Sequence, residues 1–181
     1  MKKVFFVLLL ILAASFNKAQ AQAGDLHIGA VGGYQSFYKS PVYGLNLSYD
    51  ISTPLQVSVT SLANFGFTQK DEFNQAEDRK LKIFSHNLDF RLFLINLETW
   101  AMGPSLGCEY LVERGEKQVV DGEVFDSLRD FNAFGFNVGW HLRVNVTDNL
   151  RLNGGWRYTS SQEEASRNTF YLGLGYAFNL Y

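Results

Sequence analysis

The chain has 181 residues, enough for one domain, with 46% hydrophobic and 19% charged residues, a formal net charge of −2 and a single cysteine. That balance excludes a disordered chain, a basic nucleic-acid-binding face and a small scaffold stapled by disulfides. A mean hydropathy near zero excludes a bundle of transmembrane helices. It leaves a membrane barrel open, because alternating strands hide their apolar residues from any average.

The first segment reads as an address. Met1-Lys2-Lys3 precedes an apolar run from Val4 to Ala14, and Ala19-Gln20-Ala21-Gln22-Ala23 supplies small residues at cleavage spacing. A run of about eleven apolar residues is half of what a spanning helix needs. Residues 1–21 are therefore expected to be a secretory signal peptide, cut after Ala21 or, alternatively, after Ala23. No cysteine lies near the cut, so a lipid anchor is not expected. Loss of Lys2, Lys3 and Lys18 leaves 13 basic against 18 acidic residues, a net charge of −5. Cys108 has no partner in the chain and reads as a small apolar filler.

From Leu26 onward, apolar residues recur at every second position, the period of a strand. The clearest case sets Tyr43, Leu45, Leu47, Tyr49 and Ile51 against Gly44, Asn46, Ser48 and Asp50. Seven further segments follow the rule: 26–34, 55–67, 84–94, 100–112, 134–146, 150–158 and 170–180. Leu62, Phe93 and Tyr171 break it, as large apolar residues on the polar row. Tight turns are expected at 50–54, 96–98 and 147–149, and longer links at 35–42, 68–80, 113–130 and 160–168. Short and long links alternate, so an antiparallel meander gathers all the long ones on one rim.

Alternation does not itself say which row meets water. A soluble lipocalin-like carrier would turn its apolar row inward around a ligand. It would then need a solvated row rich in Lys and Glu. Here the polar row is mostly Gly, Ser, Asn, Thr and Ala, which suit the crowded inside of an eight-stranded barrel. The apolar row carries aromatics at two levels, with Tyr43, Phe67, Phe84, Tyr110, Phe134 and Tyr158 towards the long links. Tyr49, Trp100, Phe178 and Tyr181 lie towards the tight turns. Two aromatic levels mark two lipid–water boundaries. The expected fold is all-β: an eight-stranded antiparallel up-and-down transmembrane β-barrel over residues 22–181, following the cleaved signal peptide.

The signal segment, the eight-strand pattern and the ending Gly173-Leu174-Gly175-Tyr176-Ala177-Phe178-Asn179-Leu180-Tyr181 resemble the small outer-membrane β-barrel domain proteins. These are similar in plan to OmpA/OmpX-type barrels and common in Bacteroidota. The resemblance implies a place in the outer membrane of a Gram-negative cell envelope, with lipid around the wall and periplasmic termini. It also implies recognition by the barrel-assembly machinery through Tyr176, Phe178 and Tyr181. Tyr181 departs from the family's pattern, because it is out of phase with Tyr176 and Phe178.

Eight strands enclose a space that side chains can just fill. The inward row is expected to hold Asp50, Arg91, Arg143 and Arg151 low, Asp89, His141 and Arg157 at mid-height, and Glu109 highest. These charges are expected to pair across the lumen, since an unpaired charge there is costly. The alternative is a narrow pore for small solutes or ions, lined by the same arginines. No catalytic, cofactor or metal set emerges. His86 alone points outward near the long links, with no serine or acid two positions away, and His27 and His141 lie on other strands. Residues 113–130 contain Asp121-Gly122, a type I′ hairpin signal, with Phe125 just beyond it, and 68–80 adds Phe73. These four are the candidates for docking an extracellular protein. The reading is a monomeric structural or interaction protein, with no enzyme chemistry and no nucleic-acid partner.

Overall fold

A computed structural model describes residues 24–69, 79–115, 118–120, 123–125, 131–161 and 166–179. The expected signal peptide, Phe73, Asp121, Gly122 and Tyr181 lie outside the described residues. Among the described residues, eleven strands occur in chain order: β1 Asp25–Gln35, β2 Ser40–Ser52, β3 Leu55–Gln69, β4 Arg79–Leu92, β5 Ile95–Asn96, β6 Trp100–Gly115, β7 Gln118–Val120, β8 Glu123–Phe125, β9 Phe131–Asn145, β10 Leu150–Ser161 and β11 Arg167–Asn179. Eight are long, and each pairs antiparallel with the long strand before and after it. Pairing of β1 with β11, in register from Asp25↔Asn179 to Gln35↔Thr169, leaves no free edge, and the sheet is a closed up-and-down barrel.

The burial of the two rows decides which way the wall faces. Among the described residues, 24 buried side chains are polar or charged and 11 are apolar, the reverse of a water-soluble core. The apolar row is on the outside, with Leu45, Phe136 and Leu172 each about two-thirds exposed. An unbroken apolar wall of this kind is tolerated only in lipid. The lipocalin-like alternative fails here, since it needs the opposite arrangement. Tyr43, Tyr110 and Phe134 stand exposed towards the long links, and Tyr176 and Phe178 towards the tight turns. Leu172→Arg is expected to cost about 2–4 kcal/mol in bilayer-folded protein, read as a lower urea midpoint. A wall facing water would lose almost nothing.

Several boundaries differ from the sequence reading. The link expected over 35–42 is only a four-residue turn, 36–39, because Lys39 adopts φ 47° and its N–H donates to the Ser36 carbonyl at 3.2 Å. Strand β4 stops at Leu92 rather than Leu94, where the Phe93 N–H donates to the Pro54 carbonyl at 2.7 Å. The turn expected at 96–98 is the end of a longer link that contains β5, itself paired with Ala101 and Met102. At the other rim, Glu113 and Arg114 continue β6 instead of opening a loop. The hairpin read at 118–125 is present: β7 pairs with β8, with Val119 opposite Val124, as a separate two-stranded sheet.

Candidate functional site

The lumen is built by the inward rows of all eight long strands, and its lowest tier centres on Asp50. Its carboxylate accepts from Gln56 Nε2 at 2.7 Å, His27 Nε2 at 2.9 Å, Arg143 Nη1 at 3.0 Å and Arg151 Nη1 at 3.1 Å. Arg151 also donates through Nη2 to Asp25 at 2.7 Å. Asp25, His27 and Asp50 place their ligand-type atoms within 4.8 Å of one another. The Arg151 guanidinium reaches all three, with its Nη1 3.0 Å from His27 Nδ1, so the cation that this trio holds is an arginine side chain.

Arg91 links this tier to the next. It donates to Gln56 Oε1 at 2.9 Å, and the same nitrogen lies 3.4 Å from His141 Nε2. His141 Nδ1 in turn lies 3.2 Å from the Tyr171 hydroxyl. Asp89 is held by Arg157, with Arg91 3.8 Å away, and the Arg157 guanidinium sits 5.3 Å over the Tyr171 ring. Room for that ring comes from Gly155, where a Cβ would stand 2.6 Å from the tyrosine oxygen. The upper tier is Glu109, which accepts from Ser85 and from Arg167 Nη2, the latter at 2.5 Å. Asn87 donates to Ser85 Oγ at 2.8 Å and extends the chain sideways.

Aromatic side chains pack near both ends. Tyr38 folds from the 36–39 turn into the upper mouth, against Ile83, Leu111 and Ala133, and its hydroxyl donates to Glu113 at 3.3 Å. Phe93 lies under the opposite mouth, where its ring accepts the Arg143 guanidinium 4.5 Å from its centre. Between them, a space lined by Arg91, His141, Asn153 and Tyr171 has room for about one water molecule.

All eight lumen residues singled out from the sequence, Asp50, Asp89, Arg91, Glu109, His141, Arg143, Arg151 and Arg157, lie buried inside. Sequence reasoning missed His27, Gln56, Arg167, Tyr171, Phe93 and Tyr38. Strand parity carried down to 27 and 167 places His27 and Arg167 inward, and the same parity turns the rule-breakers Phe93 and Tyr171 inward, where both are buried. Phe125 ends β8, apart from the barrel sheet. Outside, His86 has a serine after all. Ser61 is its register partner on β3, and Ser61 Oγ lies 3.0 Å from His86 Nδ1. Both strands are hydrogen-bonded on both sides at this level, which leaves no spare backbone N–H to stabilise an oxyanion.

A closed eight-stranded barrel with an apolar wall, two aromatic levels and a polar filled lumen defines an outer-membrane β-barrel. The chain belongs to the outer membrane protein beta-barrel domain family, whose model matches residues 5–178. The fold is similar to OprG of Pseudomonas aeruginosa, at 12% identity and a TM-score of 0.61 over 87% of this chain and 97% of that one. It is similar to Ail, the attachment invasion locus protein of Yersinia pestis, in complex with the heparin analogue sucrose octasulfate: 17% identity, TM-score 0.57, 86% of this chain and 99% of that one. The N-terminal β-barrel domain of Pseudomonas aeruginosa OprF is a third, at 13% identity and a TM-score of 0.55 over 87% and 99% of the two chains. At such identities the likeness is one of fold. No curated protein sequence matches the chain. The protein resides in the outer membrane, embedded in lipid.

Proposed function

We propose that this protein is a non-conducting, non-catalytic monomeric barrel that anchors its long-loop rim outside the cell as an interaction surface. The observation that carries the reading is the internal balance of the lumen. Among the described residues, five arginines (91, 143, 151, 157 and 167) share the lumen with five carboxylates: Asp25, Asp50, Asp89 and Glu109, each beside an arginine, and Glu113, which accepts from Tyr38. Charges that satisfy one another hold the strands together and offer no net field to draw an ion through. A pore lined by free arginines would leave them facing water. The lumen charge network is thus a structural plug, and the chemistry open to partners lies in the loops that carry Phe73, Asp121, Gly122 and Phe125.

Export by residues 1–21 and insertion through a signal around Tyr176, Phe178 and Tyr181 belong to the same reading, with periplasmic termini. Supporting it, Tyr176 and Phe178 stand exposed on the last strand. Ail, with the same fold, holds a heparin analogue in its solved complex, so a small barrel of this plan is a sufficient scaffold for presenting a ligand site. Trypsin added to intact cells tests the orientation. Cleavage at Lys117 or Arg129, in the longest loop, is the expected result, with the barrel protected. A chain cut there only after the outer membrane is opened would place the long-loop rim in the periplasm and remove the interaction role.

A further inference from the structure

Closure of the wall holds on β3 through Ala63, which pairs with Tyr43 of β2 on one side and with Phe84 of β4 on the other. Beyond it, β3 runs on through residues 64–69. Among the described residues these pair only with β4, from Asn64↔Ile83 to Gln69↔Arg79. The facing end of β2, Val42, Pro41 and Ser40, pairs only with β1. Two features of the sequence part the strands. In the same register Pro41 would stand opposite Phe65, and a proline has no N–H to give to a ladder. At that level an extra residue, Gly66, interrupts the β3–β4 register between Phe65 and Phe67, and a bulge bends the strand that carries it. Strand β3 therefore rises at the long-loop rim with one edge open.

An open edge is a template for another strand, and proteins guard such edges with proline or charge. Pro41 guards the β2 side. The run Asn64-Phe65-Gly66-Phe67-Thr68-Gln69 carries neither guard. Its outer end has left the hydrocarbon, because the register partners of Phe65, Thr68 and Gln69 on β4 are Lys82, Lys80 and Arg79.

We propose that residues 64–69 are a strand-addition site for an extended segment of an extracellular polypeptide. Alternate residues of an antiparallel edge present their N–H and C=O together. A peptide backbone has both groups at the matching repeat, whereas an acyl chain or a sugar does not. With no charge in these six residues, main-chain hydrogen bonds supply the affinity. The site deepens the interaction role proposed above, and rests on it for a partner outside the cell.

The test is amide hydrogen exchange of the full refolded barrel in detergent micelles, followed by NMR. The probe is the capped heptapeptide Arg-Thr-Val-Thr-Val-Thr-Arg. Without it, alternate amides within 64–69 should exchange faster than those of 43–49, which are paired on both sides. Saturating peptide should slow those amides by about tenfold and leave the rest of the barrel unchanged. The same peptide, N-methylated at its central residues so that neither of its edges can pair, should do nothing. Thr68→Lys, which installs the missing guard, should abolish the protection, and Gln69→Lys serves should that variant not fold. Exchange along 64–69 that is already as slow as along 43–49 without peptide overturns the proposal, because the edge is then covered. So does an absence of protection with the unmodified peptide, or equal protection by the methylated one. Binding in micelles is independent of orientation. Protection that persists while trypsin places the rim in the periplasm would therefore overturn the extracellular role and keep the strand-addition site.

Discussion

Asp50→Ala is expected to destabilise the barrel by about 3–5 kcal/mol, among the largest effects open to a single lumen substitution. Four donors converge on this carboxylate, two of them guanidinium groups, and the side chain is almost wholly buried. Without it, Arg143 and Arg151 face each other as uncompensated charges, with only Asp25 left to Arg151. Asp50→Asn should fall between, since it keeps an acceptor but loses the charge. The measurement is urea unfolding in phospholipid vesicles, followed by tryptophan fluorescence. A loss below about 1 kcal/mol would mean that water already solvates these arginines, as in a wet channel.

The second large effect is non-additive. Arg157→Met and Asp89→Leu each strand a buried partner, because Asp89 is the carboxylate that Arg157 grips and Arg91 is its next nearest cation at 3.8 Å. Each single change should therefore cost about as much as Asp50→Ala. The double variant replaces an ion pair with apolar volume in a lumen that already packs Leu111, Phe93 and Leu62. It should cost less than the sum of the singles by about 2–3 kcal/mol. Simple additivity across the cycle would show that the two groups do not act as a pair.

The architecture was legible because one physical signal, period-two alternation, repeats eight times and fixes strand number and rim, while the small residues of the polar row fix the facing. Tyr43 to Ile51 shows the alternation most clearly, and the argument for an outward apolar row rests on the small, lysine-poor residues of the other row and on the two aromatic levels. The inward charges were legible by parity, since Asp50, Asp89 and Arg143 simply fall on the other row. Which charge meets which partner was not. Asp50 and Arg143 are 93 residues apart, and their meeting depends on closure and strand stagger, which leave no mark on local spacing. The same blindness hid Ser61 from His86: the relevant neighbour is across the ladder, not two positions along. Tyr38 was hidden for another reason. Its side chain enters the lumen because the 36–39 link is a tight turn, and a run of Ser, Phe, Tyr and Lys gives no strong turn signal.

The central claim is that the lumen is a plug, and planar-bilayer conductance of the refolded barrel tests it most directly. With insertion established independently, the account predicts a silent membrane for the native protein. Stable unitary steps in the native protein, altered in size by Arg143→Ala or Arg157→Ala, would contradict it, because those arginines would then line an open path rather than close one.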